Sequence, residues 1–178
     1  MKFVVHDASI LIDLALSKTV EAWFATGAET WTTNLIFPAE IVKPEQRALF
    51  SAYAEAKKLQ IKELTPSEIE DLVRTRTRLS MGLSLADVSA LSLTKSLGTD
   101  AVLATGDRLL RTTADREKVK ACGILTLFDV MVEGTKDHPG VLPPSVAVEK
   151  LRSLMRLPEC RLPADRCEEK IKGWGKKS

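Results

Sequence analysis

The chain has 178 residues, 44% of them hydrophobic, and a net charge of +2 from 26 Lys and Arg against 24 Asp and Glu. That length gives one domain with room for an appendage, the apolar fraction suits a globular core, and so small a net charge excludes an argument for nucleic acid from charge alone. Cys122, Cys160 and Cys167 are odd in number and lack C-x-x-C spacing, which excludes a zinc site or disulfide framework of the usual kinds. A reduced, intracellular setting is the simplest expectation. The longest apolar runs fall far short of the ~18 residues of a membrane span, and no signal peptide is read ahead of the first strand. The expected localisation is cytoplasmic, with no membrane partner.

Lys2 to His6 reads as a strand that Asp7 ends. Ala8 to Ser17 is apolar at helical spacing through Ile10, Leu11 and Leu14. Asp13 on that helix reads as an exposed acid, or as support for Asp7. Gly27 marks a break, and Glu29 to Thr33 is a β-rich run. Asn34 then caps a helical segment over 35–42, with Pro38 in its first turn. Glu40 is a lone acid on that apolar segment, and acids are rarely buried unless paired; an exposed position on a short helix is the other reading. Pro44 stops this helix and Glu45 to Lys58 forms the next. Gln60 to Leu64 is a third strand.

Thr65-Pro66-Ser67-Glu68 carries three helix-start signals: a Thr cap, Pro at the first position and Glu at the third. That helix runs to about Leu79 and Gly82 ends it. Arg74, Arg76 and Arg78 alternate along it with threonines, as a solvated face or as phosphate contacts. Ser84 and Asp87 have capping-box spacing at the head of a helix that reaches Leu97, with Gly98 as its C-cap.

The stretch DAVLATGD, residues 100 to 107, organises the rest. Ala101 to Ala104 is a short apolar run between turn residues, which reads as a buried strand. Asp107 follows and opens a helix to about Lys120. It reads either as a helix cap or as a ligand at the C-terminal edge of a parallel sheet, where such sheets bind. After Gly123, Ile124 to Leu127 reads as a fifth strand and Phe128 to Glu133 as a short helix.

Strands thus alternate with helices over residues 1–134, the pattern of a parallel sheet covered on both faces. Residues 135–178 form a linker and a C-terminal helical extension. Ser145 to Arg156 is amphipathic, Pro158 and Pro163 bracket a turn, a last helix covers about Ala164 to Lys172, and Gly173 to Ser178 reads as frayed. Lys170, Lys172, Lys176 and Lys177 make this end basic. The tail is too short to hold a core alone.

Asp7, Glu40, Asp87 and Asp107 stand out by position. If strand order reverses between the first and fourth strands, Asp7 and Asp107 are neighbours at the switch point, and Glu40 and Asp87 can face the same crevice. Clustered carboxylates repel and need a cation to stay ionised together. Oxygen ligands without His or Cys suit Mg²⁺ or Mn²⁺ rather than zinc. Such an ion orients and acidifies a water and neutralises charge on a phosphate, which gives a metal-dependent phosphodiester hydrolase. Helix N-termini at Ser84 and Asp107 favour an anionic substrate. Thr105 can hold a carboxylate or a metal-bound water.

At these residues the chain resembles the PIN-domain nuclease family: VVHDASILIDL around Asp7, TTNLIFPAEI around Glu40, SLADVSALSL around Asp87 and LATGDRLLR around Asp107. The resemblance covers about residues 2 to 134. It implies a three-layer α/β/α fold with a five-stranded parallel sheet in the order 3-2-1-4-5, and a single-strand-directed endoribonuclease that needs Mg²⁺ or Mn²⁺. Many members are toxins of toxin–antitoxin pairs, often homodimeric and silenced by a small antitoxin. The family's acidic quartet falls on Asp7, Glu40, Asp87 and Asp107, as catalytic and metal-binding residues. Its hydroxyl beside the last acid falls on Thr105, and its small polar residue after the first acid on Ser9. Arg74, Arg76, Arg78 and Arg108 are the candidate RNA contacts. Two departures stand out. His6 precedes Asp7 where the family usually has an apolar residue, so a wetter strand end is expected, with His6 structural rather than a ligand. The tail from Thr135 is longer than in small toxins. The alternative function is a non-catalytic PIN-like module that binds RNA or protein. A phosphatase-like or receiver-like domain ranks last, because Asp107 and Arg108 stand where such domains need a lysine.

Overall fold

A computed structural model describes residues 3–79, 82–135 and 138–176. Lys2, Lys177 and Ser178, named above, lie outside the described residues. The strands are β1 (Phe3–His6), β2 (Glu29–Thr33), β3 (Leu59–Lys62), β4 (Ala101–Ala104) and β5 (Ala121–Cys122). The helices are α1 (Ala8–Leu16), α2 (Val20–Ala25), α3 (Pro44–Glu55), α4 (Pro66–Leu79), α5 (Leu85–Ser96), α6 (Arg108–Arg116), α7 (Ile124–Glu133), α8 (Pro144–Met155) and α9 (Ala164–Gly175). All strand pairs are parallel and the order is β3-β2-β1-β4-β5. Strand order therefore reverses between β1 and β4, as the resemblance implies, and the fold is α/β with flanking helices. Among the described residues no helix is long and apolar enough to cross a membrane.

The chain divides into two compact units. The first comprises the described residues up to Ile12 together with Ala28–Gly123, and holds the whole sheet. Its central strands are apolar, as parallel strands covered on both faces must be: Val4, Val5, Leu103 and Ala104 are fully buried. β2 is the exception, with buried Thr30, Thr32 and Thr33. Buried hydroxyls need partners, and each has one: Thr30 donates to the Ala28 carbonyl at 3.1 Å, Thr32 to the His6 carbonyl at 3.1 Å, and Thr33 meets the Ser89 hydroxyl at 2.7 Å. α5 packs on β1, β2 and β4, α3 on β3, and α6 on β5. α4 starts as its signals predict: the Glu68 carboxylate accepts from the Thr65 N–H at 2.8 Å and the Thr65 hydroxyl accepts from the Glu68 N–H at 3.3 Å.

The second unit comprises Asp13–Gly27 and the described residues from Ile124 onward. α2 packs on α7, α7 on α8, and α8 on α9. Phe128 of α7 stacks on Trp174 of α9, with centroids 5.8 Å apart and planes 24° from parallel. The Lys170 ammonium pairs with the Asp129 carboxylate at 2.5 Å.

Five expectations are corrected. Residues 34–40 form a turn rather than a helix, with a cis Phe37–Pro38 bond. Pro44 opens a helix instead of stopping one, which suits proline at a first helical position. The fifth strand is Ala121–Cys122, and Ile124 to Leu127 belongs to a helix; a short apolar run has no periodicity to separate the two. α2 went unread between Ser17 and Gly27, where Lys18 turns the chain at φ 55°. The frayed end is helical to Gly175, because Trp174 is buried there.

Candidate active site

Asp7 lies one residue past β1, and its N–H donates to the Ala104 carbonyl at the end of β4, 3.1 Å away. It therefore stands where strand order reverses. Asp7 is buried, 5% exposed as a residue, and both oxygens of its carboxylate are engaged. Oδ1 accepts from the Ser9 hydroxyl at 2.7 Å and from the Ile10 N–H at 3.1 Å, in the first turn of α1. Oδ2 accepts from the Thr105 hydroxyl. Burial pushes the Asp7 carboxyl above its ordinary range; the bonds from Thr105, Ser9 and Ile10 pull it back, and the charge of Asp87 pushes it up again.

The two hydroxyls also accept. Thr105 Oγ1 takes the Asp107 N–H at 3.0 Å and Ser9 Oγ takes the Gly106 N–H at 2.9 Å. The turn from β4 into α6 is thus stitched to the first turn of α1. Gly106 is required by this approach, since a Cβ there would come within 2.9 Å of Ser9 Oγ. His6 corrects the expectation of a wetter strand end: it is fully buried, and burial pushes its imidazole down to about 3. It is a neutral side chain beside the site.

Asp107 caps α6, with Oδ1 accepting from the Leu110 N–H at 2.6 Å. Asp87 completes its capping box: Oδ2 accepts from the Ser84 N–H at 2.8 Å and Ser84 Oγ accepts from the Asp87 N–H at 3.0 Å. Each spends one oxygen on a helix start. α5 is held to β2 by a buried hydroxyl chain, in which Ser89 donates to the Ala86 carbonyl at 2.7 Å and meets Thr33.

Glu40 sits on the turn after β2, and its N–H donates to the Ile36 carbonyl at 2.8 Å. Buried Ile36, Phe37 and Ile41 anchor this turn. Phe37 meets Phe50 edge-on at 6.3 Å, and Arg47 Nε donates to the Ile41 carbonyl at 3.1 Å. Glu40 is exposed as a residue, yet partial withdrawal of its carboxyl from water pushes its pKa up, with Asp87 and Asp7 adding to the push. Asp7, Glu40 and Asp87 therefore feel one another's charge.

Among the described residues no Lys, Arg or His forms an ion pair with any of the four acids. No three His, Cys, Asp or Glu side chains among them gather into a ready metal cage. The donor chemistry nonetheless fits a hard dication: uncompensated carboxylates, two of them pushed toward neutrality, and oxygen ligands alone. Asp7, Glu40, Asp87 and Asp107 could hold it.

The candidate RNA contacts differ in how committed they are. Arg74 pairs with Asp71 at 3.3 Å and Glu70 at 3.8 Å, and Arg78 with Glu117 at 3.6 Å. Arg76 is half-buried on α4. Arg108 is exposed beside Asp107. The sequence reading missed Arg111, whose Nη2 donates to the Thr105 carbonyl at 2.6 Å. Its spacing of one helical turn from Asp107 was the available signal.

A family model for the PIN domain matches residues 3–176. The chain belongs to the PIN-domain family. PIN domains are typically nucleases and generally bind a divalent metal. The match extends through α8 and α9, beyond the 2–134 stretch of the motifs. No curated protein is similar enough to this PIN domain to be matched to it.

Proposed function

We propose that this PIN domain is a Mg²⁺- or Mn²⁺-dependent endoribonuclease that hydrolyses phosphodiester bonds in single-stranded RNA. The observation that carries the reading is the Asp7 carboxylate: buried, held by Ser9, Ile10 and Thr105, facing the charge of Asp87, and without an ion pair among the described residues. Holding an uncompensated charge this way costs stability, and a bound dication with its phosphate substrate offsets that cost.

Asp7, Asp87 and Asp107 would hold the metal, which when bound supplies a more acidic water and charge neutralisation on the phosphate. Glu40 would complete the ligand set or orient the attacking water and take its proton, a role that a raised carboxyl suits. Thr105 and Ser9 keep Asp7 in one orientation. The N-terminus of α6 and Arg108 favour the anionic strand. In-line attack would break the P–O3′ bond, leaving a 5′-phosphate and a 3′-hydroxyl. In its finer form the reading makes this chain a homodimeric toxin of the cytoplasm, silenced by a small antitoxin. Growth arrest on expression, relieved by the product of a neighbouring short reading frame, tests that form.

The deciding experiment incubates the purified full chain with a mixed single-stranded RNA, in Mn²⁺ or in EDTA, beside Asp107→Asn. Metal-dependent cutting that the variant lacks supports the nuclease. No metal-dependent cutting by the wild type moves the assignment to a non-catalytic RNA- or protein-binding module.

A further inference from the structure

We propose that Arg111 is a positioning residue: its guanidinium clamps the Thr105 carbonyl and so fixes the hydroxyl that orients Asp7. The proposal rests on reading Asp7 as a working carboxylate. Thr105 is buried and has every polar group engaged. Its N–H donates to the Cys122 carbonyl at 2.9 Å, its hydroxyl donates to Asp7 and accepts from the Asp107 N–H, and its carbonyl accepts from Arg111. That last bond is short and charge-assisted, the stronger kind. Thr105 lies one residue past β4, where its N–H still bonds to β5 but its carbonyl is left for a side chain to hold. Arg111 takes over that duty from one turn along α6, where its own N–H donates to the Asp107 carbonyl at 3.1 Å. The turn from Thr105 to Asp107 is thereby tied at both ends.

A second feature points the same way. Gly123 leaves room for the guanidinium, since a Cβ there would come within 2.9 Å of Arg111 Nη2 and 3.8 Å of the Thr105 carbonyl oxygen. Among the described residues no carboxylate forms an ion pair with Arg111. Its charge is directed at a carbonyl, which is the work of a brace rather than of a surface salt bridge. A lysine could offer the charge without the planar fork.

The test compares wild type, Arg111→Gln, Arg111→Lys, Gly123→Ala and the double variant Arg111→Gln/Gly123→Ala. On the metal-free full chain, amide exchange at Gly106 and Asp107 reads the turn itself. Arg111→Gln is expected to raise it about tenfold or more at both amides, leaving Val5 and Leu103 unchanged. With RNA and saturating Mn²⁺, kcat should fall about tenfold or more while KM stays within about twofold. Arg111→Lys should recover part of the loss. Gly123→Ala, whose Cβ the guanidinium can shift to avoid, should give a smaller effect of the same kind, and the double variant should be no worse than Arg111→Gln alone, because both act on the same contact. Unchanged exchange at Gly106 and Asp107, additive losses in the double variant, or an effect confined to KM would each overturn the proposal. A wild type inert toward RNA, with exchange still responding, would instead remove the nuclease reading and leave the clamp in place.

Discussion

The hydroxyl of Thr105, at the end of β4, donates to the carboxylate of Asp7, at the end of β1 and 98 residues earlier. It joins two neighbouring strands where their order reverses, and the same oxygen receives the Asp107 N–H. One small side chain thus sets the orientation of two acids. Replacing Thr105 with Val keeps the shape and removes both bonds. Losing a hydrogen bond to a charged group costs about 1.5–3 kcal/mol, or roughly 3–12 °C in a domain of this size. Cleavage should fall by about tenfold or more, and Thr105→Ser should restore most of it. Thermal melts and initial rates check both.

Asp107 has two duties that substitution can separate. It caps α6 through Oδ1, and the proposed mechanism gives it a metal. Asn still accepts the Leu110 N–H, so Asp107→Asn should keep the melting temperature within a degree or two while losing cleavage. Asp107→Ala should lose cleavage and also about 1 kcal/mol of stability. Melting curves for the two variants, measured in EDTA, decide the point. Equal melting temperatures would show that the cap contributes nothing.

Glu40 has a carboxyl raised above its ordinary value of 4.5. Ionising it costs more in the folded chain than in the unfolded one. The penalty is absent below the ordinary value, grows as pH rises through the raised one, and is complete at neutral pH. Glu40→Gln should therefore be slightly stabilising at pH 7.5 in EDTA, by less than about 1 kcal/mol for so exposed a side chain. The gain should shrink toward zero by pH 4. Mn²⁺ should then reverse the order by stabilising the wild type more. Melts at the two pH values, with and without Mn²⁺, test each sign.

Trp174 is the largest side chain that α9 buries, and it stacks on Phe128. Cutting it to alanine should cost about 3–5 kcal/mol and loosen the second unit first. Trp174→Phe keeps a ring for the stack and should cost much less. Amide exchange in α7 and α9 reads the difference.

The motifs made the sheet order legible in the sequence, and Asp7, Asp87 and Asp107 stood out because each sits at an element boundary marked by its own turn or cap residues. Ser84 with Asp87, and Thr65 with Glu68, form the capping boxes their spacing predicts. The turn carrying Glu40 was misread because Ile36, Phe37 and Ile41 imitate a helical face, when they anchor a turn instead. β5 was misplaced because two residues are too few to show alternation. Arg111 escaped notice because its partner is a backbone carbonyl, so that its spacing of one turn from Asp107 was the sole mark in the sequence.

β1 is made before every other strand, yet it occupies the middle of the sheet. Its partner β4 is separated from it by most of the first unit. During synthesis the Asp7 carboxylate must wait for Thr105 before it has a fixed direction. Contacts so distant along the chain form slowly. A nascent chain that has not yet delivered β4 therefore carries Asp7, Glu40 and Asp87 without Thr105 or Asp107, and the proposed site cannot be complete before residue 107 is made. On the nuclease proposal, the chain would in this way be built beside its messenger while still harmless to it.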